Sequence, residues 1–341
     1  MGHCFLITLP TIPTGQYGYF LRVAINPQPM VLLFFVLSGF VLGCMLDKSP
    51  VTDARTYQTY MVRRFFRLAP ASWFSTFFAI LIPIAATSWI VVGKSLLFLE
   101  AGPNRVLWTM QVELIASAFM PLLYWLTRKC GPVPNVIAIA VFVGVSMHPS
   151  IHIFLQFFAF FHAGLLISHI PQRITDRITP ALGGLLCVVA VAAFLWLPDV
   201  LVGRDGNKYS MWQSWLWADV LPTALLVYLV VIRKSGPLNS LLGSPVAGFM
   251  GRISFGMYLL HLPILYLMFR TTSDIPTGLL RATVVFLATA AITIPLAAML
   301  HRFLEVPFMK LGHRLSEVRK PVQVGESGPL FQSQGQRPET L

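Results

Sequence analysis

Residues 107–126 read LWTMQVELIASAFMPLLYWL, an apolar run of twenty residues that holds one carboxylate, Glu113. A helix needs about 20 mostly apolar residues to cross a bilayer, because each backbone amide in lipid must be bonded within its own segment. This stretch meets that length. A soluble helix would break the run with more charge.

Working outward, further spans fall at about 30–46, 73–93, 134–148, 151–170, 180–198, 214–232, 249–269 and 282–304, with 107–127 between them. An apolar stub at 1–10 precedes them. Across all 341 residues, 56% are hydrophobic and only 11% charged. Soluble domains carry about 25% charged residues. The mean hydropathy of +0.71 agrees. The expected fold class is an all-α polytopic transmembrane helix bundle.

The formal net charge is +12. A basic balance can signal nucleic acid, but here the cations sit in short runs between apolar segments. Arg55, Arg63, Arg64 and Arg67 fill one loop, at 47–71. Arg128 and Lys129 follow two spans later, then Arg173 and Arg177, then Arg233 and Lys234, and finally Arg302, Lys310 and Arg314. The positive excess falls on every second loop, which assigns those loops and the C-terminus to the cytoplasm. Lipid is therefore the expected partner, and nucleic acid is not. A bacterial-type inner (plasma) membrane is the expected location. Residues 316–341 are polar and rich in Gly, Pro and Gln, and read as a disordered cytoplasmic tail after a transmembrane domain at 1–315.

Several side chains could carry chemistry. Glu113 must pair or hold a proton in low dielectric, and Thr109 lies one turn before it on the same face. Glu113 either orients or assists a general base, or accepts a substrate hydroxyl proton, or is a structural partner for an Arg or His. In ISFGMYLLHLPI, Ser254, Tyr258 and His261 are spaced i, i+4, i+7 and form one polar stripe, facing a cavity or a neighbouring helix. In RRFFRLAP, Arg63, Arg64 and Arg67 could project from one face. They read as a phosphate clamp or as ordinary membrane anchors. Ser38 could cap or kink its helix beside Gly39. His3 could be a general base, although a His so near a terminus says little by itself. His152 and His162 read as cavity or packing residues. Cys4, Cys44, Cys130 and Cys187 are widely spaced and suggest inert packing. No metal spacing and no Walker, GxGxxG, HExxH, GxSxG or CxxC motif is present.

Five segments, in order, resemble the acyltransferase-3 family. They are FFVLSGFVLG, RRFFRLAPASW, LWTMQVELIASAFMPLLY, ISFGMYLLHLPIL and HRFLEVPFMKLGHRL, which together run from 34 to 315. The last holds the closing motif as Arg302, Phe303, Glu305, Pro307 and Phe308. The family departs from this chain at Phe255, where it usually has Tyr. The resemblance implies about ten helices, with both ends cytoplasmic. MGHCF looks like the end of the family's first helix, so that helix is expected to be only partly present, with His3 as its critical His. The implied activity is O-acyl transfer, commonly acetyl, from acyl-CoA as co-substrate to a hydroxyl of a sugar or lipid-linked glycan, as in exopolysaccharide or O-antigen acetylation, with no bound cofactor and no metal. His3 and Glu113 would be catalytic. Arg63, Arg64 and Arg67 would bind the acyl-CoA. Ser38, Trp108, Thr109, Ser254, Tyr258 and His261 would line the acceptor cavity. A transporter using the same polar stripe, or a non-catalytic membrane partner, are the rival readings.

Overall fold

The computed structural model describes residues 28–82, 87–146, 154–202, 219–276 and 278–317. The stub at 1–10 and His3 lie outside them, as do His152, Cys4 and nearly all of the C-terminal tail.

The described residues are helical and contain no strand. In chain order they form α1 (Gln28–Lys48), α2 (Ala54–Leu81), α3 (Trp89–Leu96), α4 (Trp108–Cys130), α5 (Pro132–Ser146), α6 (Phe154–Ile167) and α7 (Gln172–Arg177). Then come α8 (Pro180–Val202), α9 (Val220–Val231), α10 (Pro237–Leu242), α11 (Pro245–Thr271), α12 (Leu279–Leu300) and α13 (Val306–Glu317). A 3₁₀ turn at Arg105–Leu107 leads into α4, and a π-helical turn at His301–Glu305 joins α12 to α13. Among the described residues, five stretches are long and apolar enough to cross a bilayer: Met30–Lys48, Arg105–Cys130, Pro180–Leu197, Pro245–Thr271 and Leu279–Ser316. Side chains such as Leu81, Trp89 and Leu221 are 77–80% exposed, a surface suited to lipid. The chain is a multi-pass membrane protein.

The expected spans at 134–148, 151–170 and 214–232 contain the shorter apolar helices Val133–Gly144, Phe157–Ile167 and Val220–Val231, and one expected boundary moves. The reading of a loop at 47–71 followed by a helix at 73–93 gives way to a single helix, α2, beginning at Ala54. Its arginines hid it from a hydropathy count, because several of its polar residues are buried against other helices rather than in lipid. Asp53 caps its start: the Thr56 amide donates to Asp53 Oδ1 at 2.8 Å, and the Asp53 amide donates to Thr56 Oγ1 at 3.1 Å. That amide bond holds the Asp53 carboxyl below its ordinary range. The cap is therefore complete above the ordinary carboxylate range and is lost only as pH falls through the lowered value. α2 stops at Leu81 because Pro83 follows, and the residue before a proline is driven to extended backbone, as Ile82 is.

Two devices hold the bundle together. The first is close approach. A Cβ on Gly39 of α1 would strike the Phe161 carbonyl, and one on Gly164 of α6 would strike the Val36 carbonyl. Gly43, one turn beyond Gly39, makes room for the Leu165 and Ser168 side chains. Lipid gives apolar helices no hydrophobic reason to associate, so small residues that let backbones touch supply the contact. An aromatic nest fills the rest: the Phe35 ring lies 5.0 Å from Phe161 and 5.2 Å from Phe157.

The second device repairs backbone broken by proline. A helical proline leaves the carbonyl four residues before it without its amide. Pro121 frees the Ser117 carbonyl, and the Tyr60 hydroxyl donates to it at 2.8 Å. Pro263 frees the Leu259 carbonyl, and the Asn104 amide donates to it at 2.7 Å. Asn135 also works between helices: its Nδ2 bonds the Gly131 carbonyl at the end of α4, while its Oδ1 accepts from Thr127 Oγ1 and His162 Nε2, each at 2.8 Å. His162 is thus a packing residue, as expected.

The positively charged loops meet one another. Arg128 pairs with Asp47 at 2.8 Å, Lys234 donates to the Thr175 carbonyl at 2.6 Å, and Arg63 donates to Ser316 at 2.8 Å. Helices α1 and α4 therefore end side by side, which fits the alternation of loop charge.

Replacing Gly164 with Ala is expected to lower stability by about 1–3 kcal/mol, the cost of overpacking a close contact, measured by unfolding the protein in mixed micelles. Tyr60→Phe is expected to cost about 1–3 kcal/mol in the same assay, because it strands a buried carbonyl.

Candidate active site

Helices α1, α2 and α4 meet at Glu113. It is 1% exposed, and Arg64 is 4% exposed. Ser38, halfway along α1, donates from Oγ to Glu113 Oε1 at 2.6 Å. Arg64 Nη2 donates to the same oxygen in an ion pair. Arg64 Nε donates to Ser117 Oγ at 3.0 Å, so the guanidinium bridges residues one turn apart on α4. Glu113 Oε2 is buried and has no hydrogen-bond partner among the described residues. One oxygen is therefore doubly held, and the other is an open acceptor.

The helices dictate this arrangement. In α4, Thr109, Glu113 and Ser117 repeat every four residues on one buried face. In α2, Tyr60 and Arg64 repeat in the same way, and they meet the Ser117 end of that face. Thr109 continues the lane the other way: its Oγ1 donates to the Tyr258 hydroxyl at 3.0 Å. His261 Nδ1 bonds the Tyr258 carbonyl at 2.6 Å, and its ring lies 5.7 Å from the Tyr258 ring. Trp108 packs beside the lane, against Phe35 at 6.2 Å and Phe157 at 5.2 Å. Ser38, Glu113, Thr109, Tyr258, His261 and Trp108 are thus gathered around α4.

Others are placed elsewhere. Ser254 is exposed, and its hydroxyl bonds the Gly251 carbonyl of its own helix. The stripe it shares with Tyr258 runs past the covered part of α11, and an exposed short hydroxyl turns back to its backbone. The three arginines do not share a face. Successive helical residues diverge by about 100°, so Arg64 turns inward while the neighbouring Arg63 reaches Ser316 on α13. Arg67, one turn on, keeps exposed surface and interacts electrostatically with Arg64, Glu113 and Glu305. His3 lies outside the described residues.

Sequence reasoning missed Tyr60, Ser117, Asn104 and Asn135. For Tyr60 a signal existed, since Pro121 implies a stranded carbonyl at Ser117 that some donor must fill. Among the described residues no group of three His, Cys, Asp or Glu side chains could hold a metal ion. Cys44, Cys130 and Cys187 are free thiols.

Breaking a buried ion pair leaves a stranded charge, so Arg64→Met is expected to cost about 3–5 kcal/mol of stability. Adding Glu113→Leu to that variant is expected to restore much of the loss, read from unfolding midpoints of the single and double variants.

No curated protein and no solved structure matches this chain. A family model described as an acyltransferase domain matches residues 1–300, which includes every helix of the site. With that match and a buried polar lane crossing a helical membrane bundle, the chain belongs to the acyltransferase-3 family and is a membrane acyltransferase.

Proposed function

We propose that the chain moves an acyl group, acetyl in the simplest case, from acyl-CoA to a hydroxyl of a sugar or lipid-linked glycan. The observation that carries this reading is the Ser38–Glu113–Arg64 cluster, which presents one open carboxylate oxygen inside the bundle.

In this reading Arg67, with Arg63, takes the donor's phosphates at the end of the bundle where the basic loops gather. Arg64, already committed to Glu113, contributes its charge at short range and fixes the carboxylate. His3 accepts the proton of the acceptor hydroxyl. That oxygen attacks the thioester carbonyl, a C–O bond forms, the C–S bond breaks, and coenzyme A leaves as the thiol once the proton is returned to it. Glu113 Oε2 orients the imidazole or the acceptor. Thr109, Tyr258 and His261 line the acceptor's approach. Ser254 has no part in it, since its hydroxyl is satisfied on an exposed face. Holding donor and acceptor in line can supply about 7–11 kcal/mol of the barrier at best, and general-base help about 10²–10⁴-fold.

The protein sits in the inner membrane in this reading, with its C-terminus in the cytoplasm, where acyl-CoA is made. That orientation follows from the loop charges. An alkaline phosphatase fused after Leu341 is expected to stay inactive.

Activity is tested in vesicles holding the full chain, labelled acetyl-CoA and envelope glycans. Glu113→Gln and His3→Ala are each expected to lower transfer by about 10²-fold or more. Arg67→Gln is expected to raise the KM for acetyl-CoA with little change in kcat. Undiminished transfer by Glu113→Gln rejects the mechanism. Mass spectrometry of glycans and lipids from a deletion strain names the acceptor by its missing acyl mass.

A further inference from the structure

The helix that begins at Leu279 runs through the π turn to Glu317 without a break. At about 1.5 Å per residue it is nearly twice as long as the bilayer's hydrocarbon is thick. Its second half lies against α2: Phe66 stacks on Phe308 with ring centroids 6.5 Å apart, and Phe66 also fills the space left by Gly312. The π turn at His301–Glu305 falls where this packing begins. Such a turn inserts one residue into the helical ladder and is frequent at functional sites.

Inside that turn, His301 Nδ1 lies 2.8 Å from Glu305 Oε2. Glu305 is only 6% exposed, while Phe303, two residues before it, is 67% exposed. Glu305 Oε1 is buried and has no hydrogen-bond partner among the described residues. A carboxylate in this position is costly, so it needs a reason. Among the described residues, no hydrogen bond runs from His301 or Glu305 to α2. Aromatic and small-residue contacts already make that joint.

Two cations act on Glu305: His301 within the turn, which acts more strongly, and Arg67 of α2, the helix against which the turn packs. Arg64 and Arg67 are one turn apart and are treated differently. Arg64 is pinned to Glu113 by direct contact, whereas no carboxylate among the described residues lies within ion-pair distance of Arg67. Arg67 thus sits in the field of two carboxylates with its five N–H donors uncommitted to either. A guanidinium held at longer range can still give a bidentate grip to an incoming phosphate.

We propose that His301 and Glu305 are positioning residues for Arg67, and through it for the phosphate-bearing acyl donor; this rests on the donor site proposed above. His301 fixes the Glu305 rotamer through Oε2. The Glu305 charge then keeps the Arg67 side chain at the site.

The test is equilibrium binding of coenzyme A to the full chain in lipid nanodiscs, with steady-state transfer beside it. Glu305→Gln is expected to weaken coenzyme A binding by about three- to tenfold, as neighbouring coupled charges do. It should raise the KM for acetyl-CoA equally and leave kcat near the wild-type value. The double variant Glu305→Gln/Arg67→Gln should bind no more weakly than Arg67→Gln alone. Wild-type binding by Glu305→Gln, or losses that multiply in the double variant, would overturn the inference while the donor site stands. Should Glu305→Gln fail to fold, Glu305→Asp, which withdraws the carboxylate by one methylene, is judged by the same two outcomes. No binding by the wild-type chain removes the donor site and this inference together.

Discussion

An arginine and a glutamate buried against each other between three helices set the terms for everything around them. Neither Arg64 nor Glu113 could stay in that interior alone, since each unpaired charge would cost several kcal/mol. Their contact fixes the depth of α2 against α4, and Ser38 adds α1 to the same point. Helix register in a bilayer is otherwise weakly determined, because one apolar face slides on another at little cost. A charged contact allows one register only. The Thr109–Tyr258 bond and the aromatic nest around Trp108 then take positions that follow from it.

The rest of the stability problem is one of backbone bonding. Prolines in α4 and α11 loosen their helices in the region of the polar lane, and each loosened carbonyl receives a side-chain donor from another element. Asn104 does this from just before a 3₁₀ turn packed beside the middle of α11. Irregular backbone is tolerated at membrane depth only when buried in protein, and Asn104 is 1% exposed. The segment before α4 is thus as much a part of the core as the spans are.

Much of this was legible in the sequence. The apolar runs, the alternating loop charge and the lone carboxylate of residues 107–126 pointed to a helical bundle with Glu113 inside it. The family followed from motifs in order rather than from any one of them. What failed, failed for physical reasons. Hydropathy missed the first half of α2, because a helical stretch that carries four arginines, one of them buried against other helices, looks like a loop. Grouping Arg63 with Arg64 ignored the angle between successive helical residues. The partners of His162 and Leu259 come from segments 27 and 155 residues away, beyond any local pattern. Ser38 was singled out for its place beside Gly39, whereas its use is the bond to Glu113. The part of His3 rests on the resemblance to the family, for it lies outside the described residues.

The crossing of α1 and α6 bears on how the chain is made. Gly39 finds its partner only when Gly164, roughly 125 residues later, has left the ribosome. At about 5–20 residues per second that is a wait of about 6–25 s. Over that interval α1 stands in the bilayer with a glycine-notched face that α6 does not yet cover. Biogenesis therefore has to shelter an early helix until a late one arrives, and the insertion machinery, or a provisional pairing with α2, must hold the place.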